Sequence, residues 1–250
     1  MDAAVKAQAA GERFMGSVLV AKDGAVVFEK SSGSANVEWN VPNAPDTKFR
    51  IGSLTKQFTA AAILLLEERG KLNVEDPITP LIPSAPESWK AVTIHQLLNH
   101  TSGIPDFSNL PEQRVRQRSP ATPEQILRTF RDLPLEFEPG GKFKYSNSGY
   151  ILLAFIVERV SGQSYEAFLR ENLFVPLAMK DSGYDSNTTL LPKRAAGYLS
   201  SPGGLANAPY VDMHHPYGAG GLYSTTHDLL RWTTALFGGR VLSATALQKM

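Results

Sequence analysis

The sequence predicts a mixed α/β (α+β) fold, on three observations. "GSVLVAKDGAVVFEKSSG" (Gly16 to Gly33) reads as a β-hairpin. "FRIGSLTKQFTAAAILLLEERG" (Phe49 to Gly70) reads as a buried helix, and the remainder carries repeated helix start and stop signals. In the hairpin, two β-rich runs flank Asp23-Gly24, a dipeptide that favours a type I′ turn. A two-stranded hairpin is marginal alone and its edges need partners. Nothing between Gly33 and Met250 reads as a further set of strands, and the chain stops at "LSATALQKM" with no Gly or Pro stop signal. The sheet is therefore expected to be one that has begun and is not finished.

The helices follow in order. From Ser53 to Arg69, about 17 residues span roughly 26 Å at the rise of an α-helix. Gly70 is placed as the residue just past its end. The middle of this segment is apolar nearly all round, as in a buried central helix. "TIHQLLNH" opens with Thr93 as N-cap and Gln96 three residues on, a capping box. "ATPEQILRTFRDL" has Thr122 as N-cap, Pro123 at the first helical position and Gln125 at the third. "SNSGYILLAFIVERVSG" is a helix closed by Gly162, and "SYEAFLRENLF" is another. "STTHDLLRWTTALFGG" spaces Thr225 and Asp228 as a further capping box. Between them, Asp181 to Gly221 reads as a long loop, and loops of that length are often functional walls or lids.

Composition excludes several classes. A chain of 250 residues suits one large domain or two interleaved ones. A net charge of +1 without a Lys/Arg run argues against nucleic acid or an anionic membrane as partner. The absence of cysteine excludes thiol nucleophiles, disulfides and Cys-based zinc sites. The longest apolar run, Ala60 to Leu66, is too short to span a bilayer, so no stable membrane insertion is expected. The opening "MDAAVKAQAAGERF" has neither the basic nor the apolar region of a signal peptide. His95 and His100 are five apart and do not share a helical face. His214 and His215 are adjacent without a third ligand nearby, and no His-Glu-x-x-His occurs. No metal and no cofactor are expected. There is no Gly-x-Ser-x-Gly elbow, Walker A loop or Gly-x-Gly-x-x-Gly turn, which argues against an α/β-hydrolase and against nucleotide binding.

Ser53 and Lys56 carry the chemistry of interest. Residues i and i+3 share a helical face about 5–6 Å apart, so a Lys amine can reach a Ser hydroxyl one turn earlier. Serine needs an adjacent base to act as a nucleophile near neutral pH. Burial and a neighbouring helix dipole both disfavour the ammonium. The helix N-terminus also offers N–H groups and positive potential to an oxyanion. The tetrapeptide alone is a weak signal, since roughly one chance match is expected in a chain this long. Ser53 as a plain N-cap with Lys56 a solvated first-turn residue is the simpler reading of the tetrapeptide alone. A second element is "FKYSNSGY", which holds the chain's sole Tyr-x-Asn, Tyr145 and Asn147. A Tyr hydroxyl can shuttle a proton where cations stabilise its phenolate, and an Asn amide can bind a carbonyl and accept from Lys. An ordinary helix entry capped by Ser146 or Asn147 is the alternative.

Ser-x-x-Lys followed about 90 residues later by Tyr-x-Asn resembles the penicillin-recognising serine hydrolases: serine β-lactamases, D-alanyl-D-alanine carboxypeptidases and related esterases. The Tyr form resembles the class C β-lactamase branch, class A carrying Ser-Asp-Asn. "FRIGSLTKQFTAAAILLLEERGKLNVEDPI", "TIHQLLNHTSGIPD", "EPGGKFKYSNSGYILLAFIVERVSG" and "GAGGLYSTTHDLLRW" are similar to family blocks and stand in family order, through roughly Phe49 to Trp232.

The resemblance implies a β-lactamase-like fold, with a helical domain inserted into an α/β sandwich with an antiparallel sheet. On that reading residues 1–70 are the N-terminal part of the α/β domain, 71–235 the helical domain, and 236–250 the start of an incomplete return. It implies acyl transfer on β-lactams or D-alanyl-D-alanine peptides, with esters as the alternative substrates. A non-catalytic relative that binds peptidoglycan-like peptides is the alternative of another class. Ser53 is then the acylated nucleophile, Lys56 the base or proton shuttle and Tyr145 the general acid/base. Asn147 binds the substrate amide and holds Lys56, and the Ser53 N–H is one of two oxyanion donors. "YVDMHHPYGAGG" (Tyr210 to Gly221) falls near the rim of the site, with a plain surface loop as the other reading. The partner is expected to be a small-molecule or peptidoglycan-peptide substrate, the chain a monomer, and its location periplasmic or secreted. The family's third motif, Lys or His, then Thr, Ser or Gly, then Gly, has no match after Tyr145. "HTSG" (His100 to Gly103) lies in the first half and reads as a structural turn. The chain is therefore expected to be a fragment lacking the last three strands and the second oxyanion donor. Losing one such donor typically costs about 10²–10³ in rate.

Overall fold

The hairpin forms where its turn dipeptide sits. Strands β1 (Gly16–Lys22) and β2 (Ala25–Ser32) pair antiparallel, with a register shift between Val20 and Ala21. Asp23 and Gly24 take φ of 51° and 78°, the two left-handed positions that a type I′ turn requires. The structure, a computed structural model, describes residues 1–10 and 14–250. Helix α1 (Asp2–Ala10) has no buried residue and is tied to β2 by the Asp2–Lys30 ion pair.

The expectation of no strands after Gly33 is corrected. β3 (Ser34–Asn36) pairs with β4 (Val41–Pro42). β5 (Phe49–Arg50), β6 (Gly183–Tyr184), β7 (Tyr198–Ser201), β8 (Gly204–Asn207) and β9 (Leu222–Ser224) follow. β7 and β8 form a hairpin, and the order β5-β9-β6 makes a three-stranded antiparallel sheet. None exceeds four residues, too short to show the period-two alternation that marks a strand in sequence. They are defined by partners distant in the chain. The stretch read as one long loop, Asp181 to Gly221, thus contains a sheet strand and a hairpin.

The helices are α2 (Thr55–Glu68), α3 (Ile94–Leu98), α4 (Gln113–Arg116), α5 (Pro123–Phe130), α6 (Asn147–Ser161), α7 (Tyr165–Leu169), α8 (Tyr217–Gly220), α9 (Thr226–Phe237) and α10 (Ala244–Leu247). Both capping boxes at Thr93/Gln96 and Thr122/Gln125 are formed, with Pro123 in the first turn. Gly162 closes α6 in the left-handed conformation, and Gly70, at φ 64°, follows α2. Two expectations are corrected. Ser53 lies in a 3₁₀ turn, Gly52–Leu54, and not in the α-helix itself, because Leu54 N donates to Ile51 O three residues back. The Thr225/Asp228 box is half made. Thr225 accepts from Asp228 N, but the Asp228 carboxylate is drawn away by Asp181 N, Ser182 Oγ and Arg231.

The core is built around α2 and α6. Phe58, Ala61, Ile63 and Leu64 on α2, and Ile151 through Val157 on α6, are all buried, so the middle of each helix is covered on every side. Phe58 lies 4.2 Å from the Trp232 ring of α9 and meets Phe174 edge-on at 5.7 Å. Trp232 Nε1 donates to Gln57 Oε1 at 2.5 Å. Phe58→Ala is expected to lower unfolding free energy by about 3–5 kcal/mol. A urea midpoint within error of wild type would show that this aromatic contact is not structural.

Candidate active site

The β5-β9-β6 sheet is what brings the site together. Ile51 N donates to Leu222 O at 3.0 Å and Leu222 N to Thr55 Oγ1 at 3.2 Å. The residues entering α2 are therefore held against those leaving α8. Asp185, at 1% exposure, braces this sheet by accepting from Arg50 Nε and Arg194 Nη1, each at 2.6 Å. Gly218, at this junction, has a definite steric reason. A Cβ there would lie 2.6 Å from Ala154 Cβ and 2.7 Å from Tyr150 O. Only a glycine lets α8 rest on α6. Thr59 Oγ1 then donates to Gly218 O at 2.7 Å.

Ser53, Lys56, Tyr145 and Asn147 meet at one point. Ser53 Oγ is 2.7 Å from Tyr145 Oη and 3.2 Å from Lys56 Nζ. Lys56 Nζ also donates to Asn147 Oδ1 and to Ala219 O, each at 2.8 Å. It stands 4.8 Å from the Tyr145 ring centroid and 5.4 Å from that of Tyr150. Ser53 is exposed, Tyr145 is 40% exposed and Lys56 only 8%. Burial lowers the Lys56 pKa below the ordinary lysine value, opposed by the Tyr145 hydroxyl and the Asp106 charge. Three acceptors around Nζ nevertheless match the three donors of an ammonium. Burial pushes the Tyr150 hydroxyl up to about 12. It donates to Leu98 O at 3.0 Å, which makes Tyr150 a floor beneath the amine while Tyr145 faces the nucleophile.

Several site residues were not legible in the sequence. Asp106, 6% exposed, accepts from Asn147 Nδ2 at 3.2 Å, and Ser108 Oγ takes the other Nδ2 hydrogen at 3.1 Å. His100, in the turn read as structural, has φ 62° and accepts from Ser146 N through Nδ1 at 3.2 Å. Its ring lies 4.6 Å from that of Tyr145. Burial, and then the Lys56 charge, lower the His100 pKa, which favours the neutral ring that accepting at Nδ1 requires. The Ala219 carbonyl belongs to a backbone, and its only trace in the sequence is the glycine pattern of "GAGG". A cleft of about 270 Å³ opens beside Ser53 and is walled by Phe107, Gln113, Arg114, Asn147 and Gly220. Val211, His215 and Pro216 also line it, so part of the Tyr210 to Gly221 segment forms its wall. His214 and His215 do not act as a pair. His215 bonds Gln113 and the Ser119 carbonyl, while His214 turns to Asp212. Among the described residues no cluster of three or more His, Cys, Asp or Glu is arranged to hold a metal, and no helix is long and apolar enough to cross a membrane.

The chain resembles known proteins over nearly all of its length. The profile of the family described as Beta-lactamase matches residues 1–250. The chain is 35% identical over 245 residues to penicillin-binding protein 4* of Bacillus subtilis, covering 90% of this chain and 52% of that protein. A penicillin binding protein from Bacillus halodurans superposes with a TM-score of 0.87 at 33% identity, over 98% of this chain and 76% of that one. The D-amino acid amidase of Ochrobactrum anthropi SV3, complexed with L-phenylalanine, gives 0.80 at 30% identity, over 94% and 66%. The chain spans about half the length of the curated relatives it matches.

Proposed function

The chain belongs to the beta-lactamase family, and from that premise we propose that it is a serine hydrolase that transfers an acyl group through a Ser53 acyl-enzyme. The substrates proposed are β-lactams or D-alanyl-D-alanine peptides. The observation that carries this reading is the Ser53 hydroxyl bonded at once to Tyr145 and Lys56. The relative named as a D-amino acid amidase supports an amide carbonyl as the group attacked.

The steps follow from the contacts. Ser53 Oγ bonds to the carbonyl carbon as its proton passes to Tyr145 Oη, 2.7 Å away, in the phenolate form that the proposed mechanism requires. Tyr145 is the base rather than Lys56 because Nζ already spends its donors on Asn147, Ala219 and Ser53. The Lys56 ammonium stabilises the phenolate, and its low-dielectric setting strengthens that attraction. The oxyanion forms against the Ser53 N–H at the positive end of α2. Tyr145 returns the proton to the leaving nitrogen, whose bond to carbon breaks. A water then attacks the ester, gives its proton to Tyr145, and Ser53 regains a proton as the acid leaves. Both hydrogens on Asn147 Nδ2 are occupied, so a substrate carbonyl reaches this amide by displacing the Ser108 hydroxyl on the cleft side.

The test is intact-mass measurement after incubation with a fluorescent penicillin, on wild type and Ser53→Ala. A Ser53-dependent adduct, or Ser53-dependent turnover without one, is the expected result. A folded protein that forms no adduct and hydrolyses neither penicillins, D-alanyl-D-alanine peptides nor small esters would overturn the proposal.

A further inference from the structure

The Asn147 amide sits between a group that only accepts and a group that only donates. On one side Asp106 Oδ2 faces Nδ2 at 3.2 Å, and on the other Lys56 Nζ faces Oδ1 at 2.8 Å. A carboxylate offers no proton and an ammonium offers no lone pair, so only one of the two amide orientations satisfies both. Asp106 is itself fixed. Its Oδ1 accepts from Ser108 N at 3.0 Å and its Oδ2 from Ser108 Oγ at 2.9 Å, in the cap of the 3₁₀ turn Phe107–Asn109. It is 6% exposed, with no Lys or Arg bonded to it among the described residues. A buried carboxylate held only by neutral donors is costly unless a cation lies within reach. The cation within reach is Lys56, one amide away.

We propose that Asp106 is a positioning residue for the Ser53–Lys56–Tyr145 group. Its carboxylate locks the Asn147 amide with Oδ1 toward Lys56, and its charge, relayed across that amide, keeps Lys56 as the ammonium that the three acceptors require. Without the lock, the amide is free to turn its NH₂ toward Nζ, which sets donor against donor and pushes the amine off Ser53. The inference rests on the proposed role of Ser53 and Lys56. The titratable groups facing Lys56 are Tyr145 just before α6, Tyr150 in its first turn, Asp106 from the loop before the Phe107–Asn109 turn, and His100 from the turn after α3. Of these, Asp106 is the carboxylate.

The experiment measures the rate at which a fluorophosphonate labels Ser53, from pH 6 to the alkaline limit of folding, in wild type, Asp106→Asn and Asp106→Ala. Asn keeps the cap and an acceptor for Asn147, so it removes charge without removing the fold. For Asp106→Asn the plateau rate is expected within about threefold of wild type, while the alkaline limb moves to lower pH by roughly 0.5 to 1 unit, because a cation has lost its nearby anion. For Asp106→Ala the same shift is expected, with the plateau reduced about tenfold or more as the amide is released. A limb that stays in place in Asp106→Asn, or moves to higher pH, overturns the inference and leaves the Ser53 reading standing. Wild-type protein that is not labelled at Ser53 overturns both.

Discussion

Lys56→Met is expected to leave the protein folded and to slow Ser53 acylation by about 10³-fold or more. The Met side chain matches the lysine stem in length and fits between the Tyr145 and Tyr150 rings, which already enclose it. What it removes is the donor to Ser53 Oγ, Asn147 Oδ1 and Ala219 O, and the charge that in the proposed mechanism stabilises Tyr145 as a base. General acid–base groups typically contribute 10²–10⁴ in rate, and on the proposed mechanism Lys56 also supplies electrostatic stabilisation. Stability has opposing terms. An unpaired Ala219 carbonyl costs about 1–3 kcal/mol, and relief of a desolvated ammonium offsets it. The pH dependence has a definite sign. Since burial lowers the folded-state pKa below 10.5, the unfolded chain binds the extra proton between the two values. The burial penalty is therefore fully present below the lowered pKa and is relieved as pH rises through it. Wild type should gain stability over Lys56→Met across that alkaline window, and urea midpoints at neutral and alkaline pH measure it. Equal acylation rates for the two proteins would remove Lys56 from the mechanism.

Gly218→Val is expected to damage both stability and acylation, although residue 218 touches no substrate. Its Cβ would meet Ala154 Cβ at 2.6 Å and the Tyr150 carbonyl at 2.7 Å, and the larger side chain adds two further methyl groups. Overpacking of this kind costs about 1–3 kcal/mol, occasionally more. Because α8 carries both Gly218 O, bonded to Thr59, and Ala219 O, bonded to Lys56, any shift of α8 off α6 pulls an acceptor from the amine. A misplacement of about 1 Å can cost 10²-fold in rate. Rates measured well below the unfolding midpoint separate the two effects. A variant that is less stable but acylated at the wild-type rate would mean that Ala219 does not position Lys56.

The hairpin turn at Asp23-Gly24, the caps at Thr93 and Thr122, and the ends at Gly70 and Gly162 were all readable. Each rests on residues within a few positions of one another. The short strands were not, because a two-residue segment such as Phe49–Arg50 has no pattern of its own and becomes a strand only beside Tyr223 and Ser224. Asp228 shows the same limit from the other side. Its spacing from Thr225 announced a capping box, and competing donors at Asp181, Ser182 and Arg231 took the carboxylate.

By itself the sequence determined which atoms could do chemistry. Ser53 and Lys56 stand three residues apart at the entry to α2, and Tyr145 and Asn147 two apart at the entry to α6, so each pair was set by local geometry. Whether the pairs meet was decided by the tertiary structure, through the packing of α2 on α6 and the pairing of β5 with β9. The same packing supplied Ala219 O, Asp106 and His100. A backbone carbonyl has no side-chain signature, and a buried carboxylate 41 residues from Asn147 gains its role only when folding brings the two within hydrogen-bond reach.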